Sequence, residues 1–280
     1  MMVRFSAARL MTLLAEAVAS IAFILTVDCA AAPASTAEEK LKYYQATAIV
    51  TGYDMRSRPL GFAQCLRTVL VNLSGEPRLR DDPRVTALAA HAETLVASFD
   101  YVDQMAGIKV HDDQGTYDRS YNLTVKFVPE RIDGVLADLG ERPWYGTRPT
   151  IVPMIRVQRF GATYLLSADE PAGSEQRPAF AAAAADYDLG VRFPSGADFA
   201  AASVRRDGAL PAPPASPAEE AIVVGTLEFQ ESLPGWVGSW HLRWNGTDYV
   251  WGIKGVNYDE AFRDVARGVL RVASGHGAPD

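Results

Sequence analysis

Cysteine is almost missing from this chain, which holds two, Cys29 and Cys65. If Cys29 leaves with an export leader, a single thiol remains and no intramolecular disulfide can form. Such a protein relies on packing alone for its stability. Histidine is also sparse: His91, His111, His241 and His276 make up the whole set, and none stands in an HExxH-type pair. No Gly-x-Ser-x-Gly elbow, phosphate-cradling glycine loop or dinucleotide fingerprint occurs. Basic clusters beyond short pairs such as Arg205-Arg206 are lacking, and the net charge is −7. A nucleic-acid binder carries a basic patch or stripe, so nucleic acid is excluded as a partner. Long apolar runs are also lacking. The longest near the start spans Ala17 to Val27, well short of the about 20 residues of a spanning helix.

What is present begins with an export pattern. Arg4 and Arg9 precede that short apolar core, and Ala32-Pro33-Ala34 fits the small-x-small rule with cleavage before Ser35. Residues 1–34 are therefore expected to be a signal peptide and the mature protein to be periplasmic, with no stable membrane span after cleavage. An anchored form is the alternative, through an uncleaved leader or through lipid on Cys29, although Asp28 before it suits lipidation poorly.

With 48% hydrophobic residues the chain can bury a sizeable core. Its patterning predicts an α/β protein of mixed α+β type, with two sheet-plus-helix modules at 35–145 and 146–280. The first reads β-α-α-β-β-α. A strand lies near Tyr43 to Tyr53. A helix from Ser57-Pro59 carries Phe62, Cys65, Leu66, Val69, Leu70 and Leu73 at helical spacing and ends at Gly75. Asp82-Pro83 starts a second helix, read as burying Val85, Leu88, Ala92, Leu95 and Phe99. Strands follow at Tyr101 to Val110 and Tyr117 to Val128, with Asp112 to Gly115 as their turn. A helix opened by Pro129 closes at Gly140.

In the second module, strands are expected at Ile151 to Val157 and Ala162 to Ala168. An Ala-rich helix spans Glu175 to Tyr187, a short one Phe199 to Arg205, and a Pro-rich loop 211–217. Ile222 to Phe229 reads as a strand. Asn245-Gly246 marks a hairpin that sets Trp240 opposite Trp251, Leu242 opposite Tyr249 and Arg243 opposite Asp248, each pair contributing roughly 0.2–1 kcal/mol. A last helix starts at Asn257, with Glu260 completing its cap.

The stretch Arg58 to Phe62, the run Val69 to Arg78, Met105 to Ile108, His111 to Thr116 and Val224 to Leu227 resemble an uncharacterised bacterial envelope family, domain of unknown function 2066. That resemblance implies the compartment and no activity. The Trp-rich end with its closing helix looks like small domains of periplasmic assembly proteins, such as those of the Tol-Pal propeller protein, the curli-secretion apparatus and penicillin-binding-protein activators. This is analogy at the level of fold.

Three functions remain in view. The first is a non-enzymatic protein that binds another envelope protein, with Arg78, Arg80 and Arg84 as contact residues. The second is a glycan-binding module that stacks Trp236, Trp240 and Trp251 on sugar rings; on one sheet face such aromatics are more often core. The third is a metal-dependent enzyme around His111 and Asp113, where ordinary turn chemistry competes. No cofactor is expected, Cys65 is read as a buried hydrophobe, and His276 falls in a tail expected to fray.

Overall fold

The computed structural model describes residues 37–107, 119–217, 219–232 and 235–280. The leader with Cys29 and the turn expected at Asp112 to Gly115 lie outside them.

The first sheet has the order β1-β3-β2, with β1 Gln45–Thr51, β2 Val96–Asp103 and β3 Ser120–Phe127, all antiparallel. Alternation in β1 sends Ala46, Ala48 and Val50 inward, and Leu123, Val125 and Phe127 of β3 join them. On this face lies α2, Arg58–Ser74, whose whole predicted stripe is buried. A short α1, Ala37–Leu41, precedes the sheet, α3 is Pro83–Ala89, and α4, Pro129–Leu139, closes this part. The opposite face of the sheet stays bare: Ile49 and Val102 are 65% and 55% exposed.

One expectation fails here. The helix after Asp82 stops at Ala89 and does not run to Phe99. Leu88, Ala92, Leu95 and Phe99 happen to keep helical spacing, but Val96 to Asp103 pairs with β3. Sheet pairing of a segment rich in β-branched and aromatic residues overrides that period. Phe99 is consequently a strand residue, 41% exposed, and the strand begins before Tyr101.

The second sheet has the order β5-β4-β6-β7-β8: β4 Thr150–Arg159, β5 Ala162–Leu165, β6 Glu220–Gln230, β7 Gly235–Trp244 and β8 Thr247–Val256. Its central pair, β4 and β6, is parallel and buried on both faces, the usual fate of parallel strands. One face is covered by α5, Gln176–Ala185, and α7, Tyr258–Ala273. The other holds a smaller core of Val152, Met154, Leu165, Phe199, Val204 and Val224 near α6, Gly196–Ala201. That helix starts earlier than expected because Ser195 and Asp198 form a reciprocal cap. Pro153 sits inside β4 without loss. Ile151 N–H donates to Gly190 and the Ile155 carbonyl accepts from Leu166, so Pro153 turns to the same side, in the gap between these partners.

The β7–β8 hairpin has the predicted register, Trp240 opposite Trp251 and Arg243 opposite Asp248. Asn245 and Gly246 both take positive φ, 49° and 79°, as a two-residue turn of this type requires. Residues 211–217 form a loop. Residues from both sheets share one continuous core, and Thr36–Asp280 forms one compact unit. Among the described residues no helix is long and apolar enough to cross a membrane.

Candidate functional site: an arginine cleft beside three helix ends

Three helices end at one place. Gly75, Gly140 and Gly275 follow α2, α4 and α7, each at positive φ of 77°, 87° and 88°. The residues after these glycines are Glu76, Glu141 and His276. In α4 and α7 the same pair of bonds closes the last turn: Glu141 N–H donates to Leu136 and His276 N–H to Arg271, while Gly140 and Gly275 donate to Ala137 and Val272. The left-handed turn then aims the next side chain back across the helix end. His276 Nε2 lies 2.9 Å from Glu141 Oε2, and Nδ1 lies 2.8 Å from Ser274 Oγ. Glu76 is buried and ion-paired with Arg271 of α7. The tail expected to fray is thus docked. A cavity of about 420 Å³ opens beside it, walled by Glu141, Trp144 and His276.

Next to this junction lies a cleft of about 300 Å³ with four arginines, Arg78 and Arg80 from the turn after α2 and Arg267 and Arg271 from α7. Asp280 occupies its rim. Arg78 grips that carboxylate with both arms of its guanidinium, Nε to Oδ2 at 2.7 Å and Nη2 to Oδ1. The Arg78 guanidinium beside Asp280 holds its carboxyl below the usual carboxylate range. Arg267 bonds Glu260 at 2.6 Å. Arg80 rests over the Tyr187 ring at 5.6 Å, and its Nε is buried without a partner among the described residues. Arg80 also walls a polar cavity of about 530 Å³ with Gln64, Thr68 and Asn72.

Of the residues singled out by sequence, the structure gathers Arg78 and Arg80 and parts Arg84 from them. Arg84 folds back on Asp82 at 2.7 Å. Trp236, Trp240 and Trp251 are 5%, 1% and 6% exposed, so their ring faces are turned away from solvent. The Nε1–H groups of Trp240 and Trp251 donate to Oδ2 and the carbonyl of Asp264 on α7, at 3.0 and 3.3 Å. Trp240 also lies over Gly225 and Gly238, where an added Cβ would stand 2.6 and 2.2 Å from its ring. Cys65 is fully buried, and burial pushes its thiol pKa up to about 12. His111 and Asp113 lie outside the described residues. The sequence reading missed Glu76, Glu141, Arg267, Arg271 and His276. Glu76, Glu141 and His276 share a signal, a helix, a glycine, then a charged or imidazole residue, whereas Arg267 and Arg271 lie within α7 and carry no such mark.

Residues 37–145 match the model of a domain of unknown function, DUF8605. The match is to this domain and not to domain of unknown function 2066, whose likeness rested on short helix and turn stretches. No curated protein and no solved structure matches the chain. The DUF8605 segment supplies Glu76, Arg78, Arg80 and Glu141. Arg267, Arg271 and His276 come from α7 and the turn after it, outside the matched segment, so both parts of the chain are needed to build the site.

Proposed function

We propose that this chain is an exported, non-enzymatic binding protein of the cell envelope, and that its arginine cleft holds a carboxylate-bearing segment of a protein partner. The observation that carries the reading is the two-armed grip of Arg78 on Asp280, with Arg80, Arg267 and Arg271 around it. Planar guanidinium groups match carboxylates in this geometry, whereas a lysine would offer only a point charge. Three of the four arginines already hold carboxylates of the chain itself, Asp280, Glu260 and Glu76, so a partner's carboxylate would displace Asp280 from Arg78 and reach Arg80. Binding is favoured over nucleophilic chemistry because the one thiol in the described chain is sealed in the core. The envelope assignment rests on the leader pattern of residues 1–34.

The test is photo-crosslinking in intact cells from a probe at exposed Asp81, in the native chain and in an R78E/R80E variant. An acidic envelope protein should be captured by the first and lost with the second. Equal capture by both would remove the cleft from the account. A product that stays in the cytoplasm with residues 1–34 attached would remove the compartment.

A further inference from the structure

We propose that Glu76, Glu141 and His276 form a divalent-metal site, with zinc as its ion, that pins the ends of three helices together. The ligating atoms lie within 4.8 Å of one another. A tetrahedral zinc with bonds of about 2.0–2.1 Å keeps its ligand atoms about 3.4 Å apart. The set therefore closes on the ion by little more than an ångström, within the reach of side-chain torsions.

The hydrogen bonding of His276 points the same way. Ser274 Oγ stands 2.9 Å from the Gly75 carbonyl and 3.0 Å from the Arg271 carbonyl, and it has one proton to give them. It therefore accepts from Nδ1–H of His276 at 2.8 Å. That leaves Nε2 turned to Glu141 Oε2 at 2.9 Å, where a proton on Nε2 joins the two in the metal-free chain and a metal ion would take that proton's place. An outer partner on Nδ1–H orients the ring and leaves Nε2 to ligate, as in metal-binding histidines. Glu76 is fixed in turn by Arg271 and by the Arg78 N–H, and its remaining lone pairs supply the third ligand.

The surroundings favour a cation. The carbonyl ends of α2, α4 and α7 all point to this spot, and each carries the negative end of a helix dipole. Imidazole nitrogen with carboxylate oxygen suits zinc better than calcium or magnesium, which take oxygen alone. The adjoining cavity leaves room for water as the fourth ligand.

The experiment titrates the chelator-stripped full chain with Zn²⁺ by calorimetry and follows its melting temperature. One equivalent should bind and raise the midpoint. H276Q and E141Q should each abolish binding. S274A, which removes the Nδ1 partner together with the bonds to the Gly75 and Arg271 carbonyls but no ligand, should weaken it about 10–100-fold. H111Q should bind as the native chain does. Substitution of Co²⁺ into the native chain should give the intense visible bands of a four-coordinate site, a readout that needs no variant to fold. A native chain that binds no Zn²⁺, binding unchanged in H276Q and E141Q, or binding lost in H111Q would each overturn the site. None of these results bears on the arginine cleft, which partner capture reads.

Discussion

The two sheets of this protein solve burial differently. The three-stranded sheet hides one face under α2 and leaves the other to solvent, with Ile49 and Val102 exposed there. The five-stranded sheet buries its central strands on both faces, between α5 and α7 on one side and the smaller core near α6 on the other. Substitutions on the first sheet should therefore divide sharply by face, whereas the second has no harmless side at its centre. The site lies where the two meet. There, Ser274 Oγ donates to the Gly75 carbonyl, Arg148 pairs with Asp188 at 3.0 Å, and Trp144 N–H donates to Leu73.

The largest effect is expected in the second sheet. Trp240→Ala empties the space over Gly225 and Gly238 and strips Asp264 of a donor. It should cost about 3–5 kcal/mol, read by denaturant unfolding. Its counterpart on the bare face of the first sheet, Ile49→Ser, should stay within about 0.5 kcal/mol. A cost there like that of Trp240→Ala would mean that the face is covered.

At the seam, Gly75→Ala meets two obstacles. Its φ of 77° suits glycine, and a Cβ would stand 2.3 Å from that of Ser274. Left-handed strain of about 1–2 kcal/mol adds to overpacking of about 1–3 kcal/mol. The same change at Gly140, also left-handed but with open space around its Cβ position, should show the strain alone. Equal losses at the two positions would deny the close approach.

Smaller effects come from carboxylates of opposite character. Burial raises the pKa of Asp264, with the Trp240 N–H and Arg267 opposing it. Its contribution to stability is present at pH below the ordinary carboxylate range and fades as pH rises through the folded-state value. Asp264→Asn should abolish that fade and keep an acceptor for Trp240. The Asp248 pKa is lowered, first by Arg243 and then by His241, so its contribution is present above the carboxylate range and lost as pH falls through the folded-state value. The pH dependence of Asp264→Asn and Asp248→Asn, each taken against the native chain, should differ in sign. Smallest of all, Arg243→Ala on the exposed hairpin face should lower the melting temperature only slightly and remove most of the Asp248 pH dependence.

Much of this fold was legible where a single local rule decided the outcome. The α2 stripe from Phe62 to Leu73, the glycine stops at Gly75 and Gly140, and the Asn245-Gly246 turn with its register needed no tertiary information. The second helix was misread because Phe99 keeps a helical phase with Leu88, Ala92 and Leu95, and only its pairing with Val125 breaks it. Of the site, Arg78 and Arg80 were visible as a charged turn. Arg267, Arg271 and His276 were not, since nothing local to α7 says that its carbonyl end meets that of α2. Sequence placed His276 in a loose tail. The Schellman turn at Gly275 and the Glu141 carboxylate hold it.

The central claim is that the two sheets close on each other as one unit and that this closure builds the site. It is tested most directly by unfolding a C29S variant in denaturant with two probes at once. Alkylation of Cys65 reports the core under the first sheet, and tryptophan fluorescence reports chiefly the second. Shared packing predicts that both transitions have the same midpoint and that Cys65 stays unreactive until the tryptophans are exposed. Thiol exposure at a clearly lower denaturant concentration, with the fluorescence still native, would contradict it.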